Sequence, residues 1–394
     1  MTRRLDRETL VGLGLVAVSA LVYWLANREF DAGRGDFFYL ADAFDHLRAW
    51  LDVRLGPNDV IVVDGHFYVP FAPFPAVAFM PLVALIGPVT ADQLESGINA
   101  LLAAAGVGLC WWYLGRLGVT RRVDRLWLAV LFGFSTQILW VTTRGGVWHT
   151  GHLVATILTF ACLIELRGSR RAWLIGLLAG AAFLTRAPLA FAIPVYALFL
   201  ATDGLLDPRR WPWRAWIGLG LGVAPALMAF FAYNQVRFGT PFESGYALAT
   251  LPPFLEAQRE RGLFSIVHIP MNLDYFLVHL PYLIPEAPFF RPDGLGMSVL
   301  ITSPGLLLGF RADWRAREVQ LLALAALLVL IPTLLYYGGG WLQYGYRYFL
   351  DSVPFVIGLC GLAVVHRDLG VGWKAAIAFG VVVMVVGVYW AYRI

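Results

Sequence analysis

Residues 10–26 read LVGLGLVAVSALVYWLA, a run of apolar and small side chains that carries no charge. A helix needs about 20 mostly apolar residues to cross the hydrocarbon core of a bilayer. A cluster of arginines precedes this run, and the polar residues after it contain no small-x-small cleavage pattern. The segment therefore predicts a retained membrane helix rather than a cleaved signal peptide.

Similar segments recur along the whole chain. Of its 394 residues, 59% are hydrophobic and only 14% are charged, whereas a soluble domain carries roughly 25% charged residues. We therefore expect an all-α polytopic membrane protein that forms a single membrane domain over residues 1–394. The candidate membrane segments are 9–26, 71–88, 97–115, 126–143, 152–166, 171–185, 188–203, 215–233, 298–310, 319–337, 350–365 and 373–391.

Charge and cysteine usage exclude several function classes. The net charge is +4, but the arginines lie in short clusters between apolar segments, which is typical of topology signals and not of a nucleic-acid-binding stripe. Cys110, Cys162 and Cys360 lie inside apolar runs and have neither disulfide nor metal-ligand spacing, so we interpret them as small core residues.

The arginine clusters also predict the orientation of the chain. Cytoplasmic loops are rich in Lys and Arg, which places the N-terminus and the short basic loops in the cytoplasm. The alternation fails only at 71–88, where Pro73, Pro75 and Pro81 disfavour a regular helix. We expect 71–88 to enter or lie along the outer leaflet, which leaves about eleven crossings and an outer C-terminus.

Two long outer loops follow from this topology, one at 27–70 with juxtamembrane helices and one at 235–297. Because long ordered loops usually carry function, we expect the active site on the outer face. In the first loop, Asp36 follows the first membrane helix and is a candidate general base, although from its position alone an ordinary solvated Asp is the simpler interpretation.

Several other polar residues are candidates for a substrate cleft or a metal site. Asp42 and His46 lie four residues apart and suit either a metal site or a helix-surface ion pair, of which the ion pair is the simpler interpretation. His149 and His152 lack a third ligand nearby in sequence, so a zinc site is not favoured. No cofactor is required by the pattern, and a divalent metal remains an open alternative. The other cleft candidates are His66, Tyr68, Glu243, Tyr246, Tyr346 and Tyr348.

Four arginines are candidates for binding an anion. Arg186 and Arg347 lie next to apolar segments, where a charge in the bilayer centre costs at least ~2.5 kcal/mol and marks function, unless the side chain only snorkels to the interface. Arg144 lies in a glycine-rich stretch, and Arg291 ends the second outer loop. A guanidinium group suits a lipid-linked phosphate, because its planar fork binds two oxygens at once.

The order of these motifs resembles the GT-C superfamily of membrane glycosyltransferases, closest to the branch of protein O-mannosyltransferases and lipid A aminoarabinose transferases. The resemblance rests on the acid after the first helix, on the aromatic and proline stretch from Phe67 to Pro75, and on two later motifs. These are Leu-Thr-Arg-Ala-Pro at 184–188 and Tyr-Arg-Tyr at 346–348, which is followed by a proline at 354.

This resemblance implies a function as well as a GT-C-like fold. It implies that Asp36 is the base, that Arg186 and Arg347 bind the donor phosphate, and that the donor is a sugar on a polyprenyl phosphate in the outer leaflet of the plasma membrane. The acceptor would be a glycan, a lipid or a protein of the cell envelope. Two features depart from the branch, since Phe37 follows Asp36 where an acid is frequent, and the stretch 70–75 has no lysine.

Two alternative functions involve no sugar transfer. A lipid or polysaccharide transporter also buries charges in the membrane, but such proteins commonly show two related halves, which this sequence lacks. A non-catalytic partner of a cell-envelope complex would tolerate the loss of both Asp36 and Arg347.

Overall fold

The computed structural model describes residues 7–27, 35–143, 145–201, 210–341 and 343–391. Nearly all of its regular structure is helical. Arg144, one of the predicted anion-binding residues, lies outside the described residues.

Six helices in the described part of the chain are long and apolar enough to cross a membrane, so the chain is a multi-pass membrane protein. Their apolar residues lie on all sides, as expected for helices that face lipid or other helices throughout. These helices are α1 (Arg7–Asn27), α5 (Glu95–Leu117), α8 (Val147–Leu166), α11 (Trp213–Phe238), α15 (Arg317–Leu335) and α17 (Val371–Ala391).

Shorter helices and turns connect these six. The remaining helices are α2 (Asp36–Asp45), α3 (Phe74–Ile86), α4 (Pro88–Gln93), α6 (Arg122–Phe134), α7 (Ile138–Val141), α9 (Ala172–Phe183), α10 (Ile193–Leu200), α12 (Pro253–Arg259), α13 (Ile269–Leu273), α14 (Val299–Thr302) and α16 (Val353–Val364). Short 3-10 helices cover Ala187–Ala192, Ile266–His268, Pro304–Arg311 and Arg347–Asp351, and a π-helical turn covers Asp274–Val278.

The helix α8 lies at the centre of the fold and is buried over most of its length, whereas α1 and α11 expose most of their surface. It packs against α5 and α9, and α9 packs closely on α11. The end of α1 is fixed by Asn27, which is fully buried and donates to the carbonyls of Ser96 at 2.7 Å and Thr142 at 3.1 Å. This contact determines where the first predicted outer loop begins.

That loop contains α2 and a small antiparallel hairpin, β1 (Ile61–Val63) with β2 (His66–Tyr68). Asp64 and Gly65 form its turn, and both have positive φ, as the two central residues of a tight hairpin turn require. The second predicted outer loop contains α12, α13 and another two-stranded ribbon, β3 (Tyr282–Leu283) with β4 (Phe290–Arg291). The all-α class predicted from composition is thus confirmed apart from these two short ribbons.

Several segments differ from the predicted pattern. The predicted span 126–143 is divided at 135–137 between α6 and α7, and 188–203 is divided between a 3-10 helix and α10. The predicted span 298–310 is interrupted at Ser303, because the residue before a proline is disfavoured in helical conformation, and Pro304 opens a 3-10 helix there. The helix predicted at 152–166 begins earlier, at Val147, so His149 and His152 lie on α8 and not in a loop. At 71–88 the helix α3 has 13 residues, a length of about 20 Å against a hydrocarbon core of about 30 Å. The prediction that it does not cross, like the count of eleven crossings, stays a prediction.

Candidate active site

A partly open cavity of about 680 Å³ lies where two 3-10 helices meet the second predicted outer loop. It combines two arginines with several aromatic rings. Its lining residues are Phe71, Trp148, Arg186, Ala187, Pro188, Tyr246, Phe264, Pro332, Thr333, Tyr336, Arg347 and Tyr348. Arg186 and Arg347 lie 161 positions apart in the chain and both line this cavity, whereas Asp36, which was expected to share one cleft with them, does not line it.

Arg186 is held by a fully buried carboxylate, Asp351. The Nε of Arg186 donates to both oxygens of Asp351, at 3.0 and 3.3 Å, and His152 Nδ1 lies 2.8 Å from Asp351 Oδ1. His152 is also fully buried. Because Asp351 binds the Nε edge of Arg186, the terminal nitrogens of that guanidinium group are not needed for this ion pair. They are available to a ligand in the cavity.

Arg347 lies in a different electrostatic setting. Its side chain is only 7% exposed, its backbone amide donates to Gln343 Oε1, and its Nη1 donates to the carbonyl of Trp341 at 3.3 Å. No carboxylate in the described part of the chain lies within ion-pair distance of Arg347. An uncompensated buried charge is strongly unfavourable, so this cavity favours an anionic ligand.

The tyrosines of the cavity can orient such a ligand. The ring of Tyr348 lies 5.6 Å from Cζ of Arg186 and 5.4 Å from Cζ of Arg347, so both guanidinium groups flank one ring. Burial raises the pKa of Tyr246, so its hydroxyl is neutral near pH 7 and can donate a hydrogen bond. Two cations and neutral hydroxyl donors around one space are suited to binding a phosphate group.

Asp36 is the first residue of α2 and is 1% exposed. It lines a second, smaller cavity of about 180 Å³ and is not among the residues that line the larger one. Apart from Asp36 and Asp59, the lining of this smaller cavity is apolar or aromatic: Leu51, Val53, Leu55, Val60, Phe67, Tyr68 and Val69. Among the described residues, the side chains that line this cavity with Asp36 are thus mostly apolar.

The two cavities are neighbours. The stretch from Phe67 to Phe71 contributes to both, with Val69 in the smaller and Phe71 in the larger. Gly151 on α8 lies between the two sites, because a Cβ built on it lies 3.7 Å from Cδ of Arg186 and 4.0 Å from the ring of Phe37. The residue after Asp36 and the cavity arginine therefore approach the same point on α8.

Asp92 on α4 lies against the start of α2, close to Gly35 and Tyr39. Burial raises the pKa of Asp92, and the polar groups of Gly35 and Tyr39 partly offset the effect. A side chain at Gly35 would collide with the Asp92 carboxylate. The close approach explains why the residue before Asp36 is a glycine.

Several other predicted residues lie near the two cavities without lining the larger one. Tyr68 lines the smaller cavity. His149 is buried with its ring 5.4 Å from that of Trp140. Tyr346 is fully buried and donates to the carbonyl of Thr333, which fixes the turn before Arg347.

Four predicted residues lie elsewhere. His66 is exposed and packs on Trp50 with 4.6 Å between ring centroids. Asp42 is half-buried beside His46, at 3.8 Å. Glu243 accepts the amide of Gly245 within its own turn, and Arg291 lies on β4 over the ring of Tyr282.

The described residues include no group of three His, Cys, Asp or Glu side chains placed to hold a metal ion. Asp42 and His46 lie at the exposed end of α2, whereas His149 and His152 are buried in α8. The four residues therefore do not form one metal site.

No protein-family model and no curated protein sequence matches this chain. Among solved structures, ArnT from Cupriavidus metallidurans bound to undecaprenyl phosphate superposes with a TM-score of 0.51 and 14% identity, over 92% of this chain and 61% of ArnT. This chain has a GT-C fold. The resemblance predicted from the motifs is confirmed at the level of the fold, and the ArnT structure lies in the branch that the motifs indicated. The chain spans about three fifths of the length of ArnT.

Two further structures are similar with lower scores. Apo ArnT from the same organism has a TM-score of 0.47 and 14% identity, over 92% of this chain and 61% of that one. The oligosaccharyltransferase of Archaeoglobus fulgidus, tethered to an acceptor peptide, has a TM-score of 0.43 and 13% identity, over 97% of this chain and 54% of that one.

Within this GT-C fold, two structurally important residues were missed from the sequence. Asp351 is the carboxylate that holds Arg186, and its only signal is its position four residues after Arg347. Arg237 is buried in α11 and donates to the carbonyls of Val69 at 3.0 Å and Ser244 at 3.3 Å, which ties the first predicted outer loop to the second. Its position at the end of an apolar segment resembles that of an ordinary interfacial arginine.

Proposed function

We propose that this chain is a membrane glycosyltransferase that moves a sugar from a polyprenyl-phosphate donor to a cell-envelope acceptor. The supporting observation is the larger cavity, where Arg186 is paired with Asp351 while Arg347 has no carboxylate partner among the described residues. This arrangement leaves a surplus of one positive charge if His152 is neutral. A sugar phosphodiester carries one negative charge and matches that surplus.

The fold supports the same class of donor. ArnT from Cupriavidus metallidurans, which shares this fold, was crystallised with undecaprenyl phosphate. In this chain the aromatic and proline side chains of the cavity, such as Phe71, Trp148 and Pro332, offer an apolar path for the first part of a polyprenyl chain. The phosphate would lie against Arg186 and Arg347, with Tyr246 donating to one of its oxygens.

In this proposal Asp36 is the general base. The donor sugar would point from the arginines past Gly151 and Phe37 toward Asp36. The acceptor hydroxyl gives its proton to the Asp36 carboxylate, and its oxygen forms a bond to the anomeric carbon. The bond from that carbon to the phosphate oxygen breaks with its electron pair, so the leaving group is polyprenyl phosphate. Attack on the face opposite to this leaving group inverts the configuration.

Charge grows on the phosphate during this step, from one negative charge toward two. Arg347 and Arg186 stabilise that charge, and each such contact is worth roughly 2–4 kcal/mol in a transition state. A general base adds about 10²- to 10⁴-fold to the rate. We further propose that the reaction takes place on the outer face of the plasma membrane, with the N-terminus in the cytoplasm, and that the acceptor is a glycan, a lipid or a protein.

The test uses purified protein in lipid nanodiscs with a panel of radiolabelled polyprenyl-phosphate sugars and an envelope extract as the source of acceptor. The proposal predicts that one donor is consumed and that free polyprenyl phosphate is produced. Intact donor that crosses the bilayer of proteoliposomes without cleavage would instead support a transporter. Neither cleavage nor transport, with full complementation by variants of Asp36 and Arg347, would support a non-catalytic partner.

A further inference from the structure

A buried carboxyl group next to the candidate active site has no role in the mechanism above. Glu95 is the first residue of α5 and is fully buried. Its Oε2 accepts the backbone amide of Gly146 at 2.6 Å, and its Oε1 lies 2.9 Å from Thr150 Oγ1. These contacts fix the first turn of α8, which has no side-chain cap of its own.

The protons around Thr150 constrain the state of Glu95. Thr150 Oγ1 lies within hydrogen-bond distance of three oxygens, Glu95 Oε1 at 2.9 Å, Asn99 Oδ1 at 2.9 Å and the Gly146 carbonyl at 3.3 Å. A threonine hydroxyl has one proton to donate. With Asn99 presenting its oxygen, a second proton is needed at one of the two close contacts, and a protonated Glu95 Oε1 supplies it.

The electrostatic surroundings also favour a neutral Glu95. Within the described ranges no Lys, Arg or His lies within ion-pair distance of its carboxyl group. The charged groups that act on it are two further carboxylates, Asp36 on α2 and Asp92 on α4. Asp36 and Glu95 are buried and Asp92 is half-buried, so ionisation of all three carboxylates would be opposed by their mutual repulsion.

We propose that Glu95 is a neutral carboxylic acid that donates its proton to Thr150, so that it fixes the start of α8 without adding negative charge beside Asp36. This inference rests on the proposed function for the role of Asp36. Glu95 is then a positioning residue, because α8 carries His152, whose Nδ1 lies 2.8 Å from the Asp351 carboxylate that holds Arg186. Because a neutral Glu95 adds no negative charge, Asp36 remains the carboxylate that takes the acceptor proton.

The test compares Glu95→Gln with Glu95→Met. The amide of Gln can accept from Gly146 through its oxygen and donate to Thr150 through its nitrogen, so we expect this variant to keep about a third or more of the turnover. Met offers neither contact, which leaves the Gly146 amide without its partner, and we expect at least a tenfold loss of turnover together with a lower unfolding temperature.

The pH profile separates this proposal from an ionised Glu95. An ionised Glu95 would favour the protonated form of Asp36, so Glu95→Gln would move the acid limb of the turnover profile to lower pH by about half a unit or more. The proposal predicts an unchanged acid limb. Asp92 on α4 and His149 on α8 are unchanged in both proteins, so their electrostatic effect on Asp36 is the same in both pH profiles.

An infrared difference spectrum tests the proton without any activity. The proposal predicts that wild-type protein near neutral pH shows the carbonyl stretch of a buried carboxylic acid and that Glu95→Gln removes that band. If the two spectra show no such difference, the proposal is overturned. That result would mean that Asn99 presents its amide nitrogen to Thr150 instead. If the band is lost as expected but no donor is consumed by wild type, then the proposed function fails and the protonation of Glu95 stands.

Discussion

A substitution of Arg347 distinguishes an effect on donor binding from an effect on stability more clearly than a substitution of any other residue of the site. It is buried without a carboxylate partner among the described residues, so its charge destabilises the empty protein and has value only when an anion is bound. We expect Arg347→Gln to lower donor affinity by about 10- to 100-fold, which is the range for a hydrogen bond to a charged group. Its unfolding temperature should stay equal to wild type or rise. Donor titration and thermal unfolding measure the two quantities.

The matched control is Arg291→Gln. Arg291 was predicted as a fourth anion-binding residue but lies on β4, over Tyr282 and outside the cavity. Its substitution should leave donor affinity unchanged within about twofold. Equal losses of affinity in both variants would contradict the assignment of the cavity.

We expect Asp351 to affect donor binding by holding Arg186, and not by contacting the donor itself. Removing one partner of a buried ion pair costs about 3–5 kcal/mol, so Asp351→Asn should lower both stability and donor affinity. The informative experiment is a double-mutant cycle with Arg186→Gln, followed by thermal unfolding and donor titration. We expect the second substitution to cost much less in the background of the first, and strictly additive losses would contradict the pairing.

The sequence predicted the arginines of the site better than the contacts that hold them. Arg186 and Arg347 are recognisable because a charge at the edge of an apolar segment is costly and therefore informative. Asp351 was not recognisable as their neighbour, because its pairing with Arg186 joins residues 165 positions apart. His66 and Glu243 were predicted from their positions in the outer loops, and in the structure they stabilise local turns or stacks instead.

At the scale of elements, the packing of α9 on α11 depends on two facing glycines. A Cβ on Gly222 would collide with the carbonyl oxygen of Trp173 and lie 2.9 Å from Cα of Gly176. Because both helix backbones would have to separate, we expect Gly222→Ala to destabilise the protein by about 1–3 kcal/mol. Thermal unfolding in detergent measures this change.

Gly220 on the same helix is the control for that prediction. A Cβ on Gly220 has no atom within 4 Å, and alanine favours a helix over glycine by about 1 kcal/mol. Gly220→Ala should therefore be neutral or stabilising. If the two alanine variants unfold at the same temperature, the close approach of α9 and α11 is not required for stability.

Long apolar helices were predictable from the sequence, and their irregular ends were not. The segments that became α5, α15 and α17 are long and uninterrupted, so composition alone identified them. The start of α8 depends on the bond between Glu95 and Gly146, which joins residues 51 positions apart and leaves no local signal. The interruption at Ser303 could have been predicted, because a proline follows it. The apolar residues on both sides made the segment look like one continuous span.

At the scale of the whole molecule, the predicted orientation places both cavities on the outer face. Leu47, in the first predicted outer loop, is 96% exposed, and Arg170, in a predicted cytoplasmic loop, is also exposed. The natural cysteines are all buried, so single cysteines introduced at these positions report their own surroundings. We expect an impermeant maleimide to label Leu47→Cys in intact cells and Arg170→Cys only after permeabilisation. The reverse pattern would contradict the topology.

The account as a whole depends on Asp36 as the base of a sugar transfer. The most direct measurement is single-turnover cleavage of the accepted polyprenyl-phosphate sugar by Asp36→Asn, with donor binding measured on the same preparation and Asp42→Asn as the control on the same helix. We predict that Asp36→Asn binds the donor within about threefold of wild type and transfers the sugar at least about 100-fold more slowly, while Asp42→Asn matches wild type in both. Full transfer activity in Asp36→Asn, or an equal loss in both variants, would contradict the account.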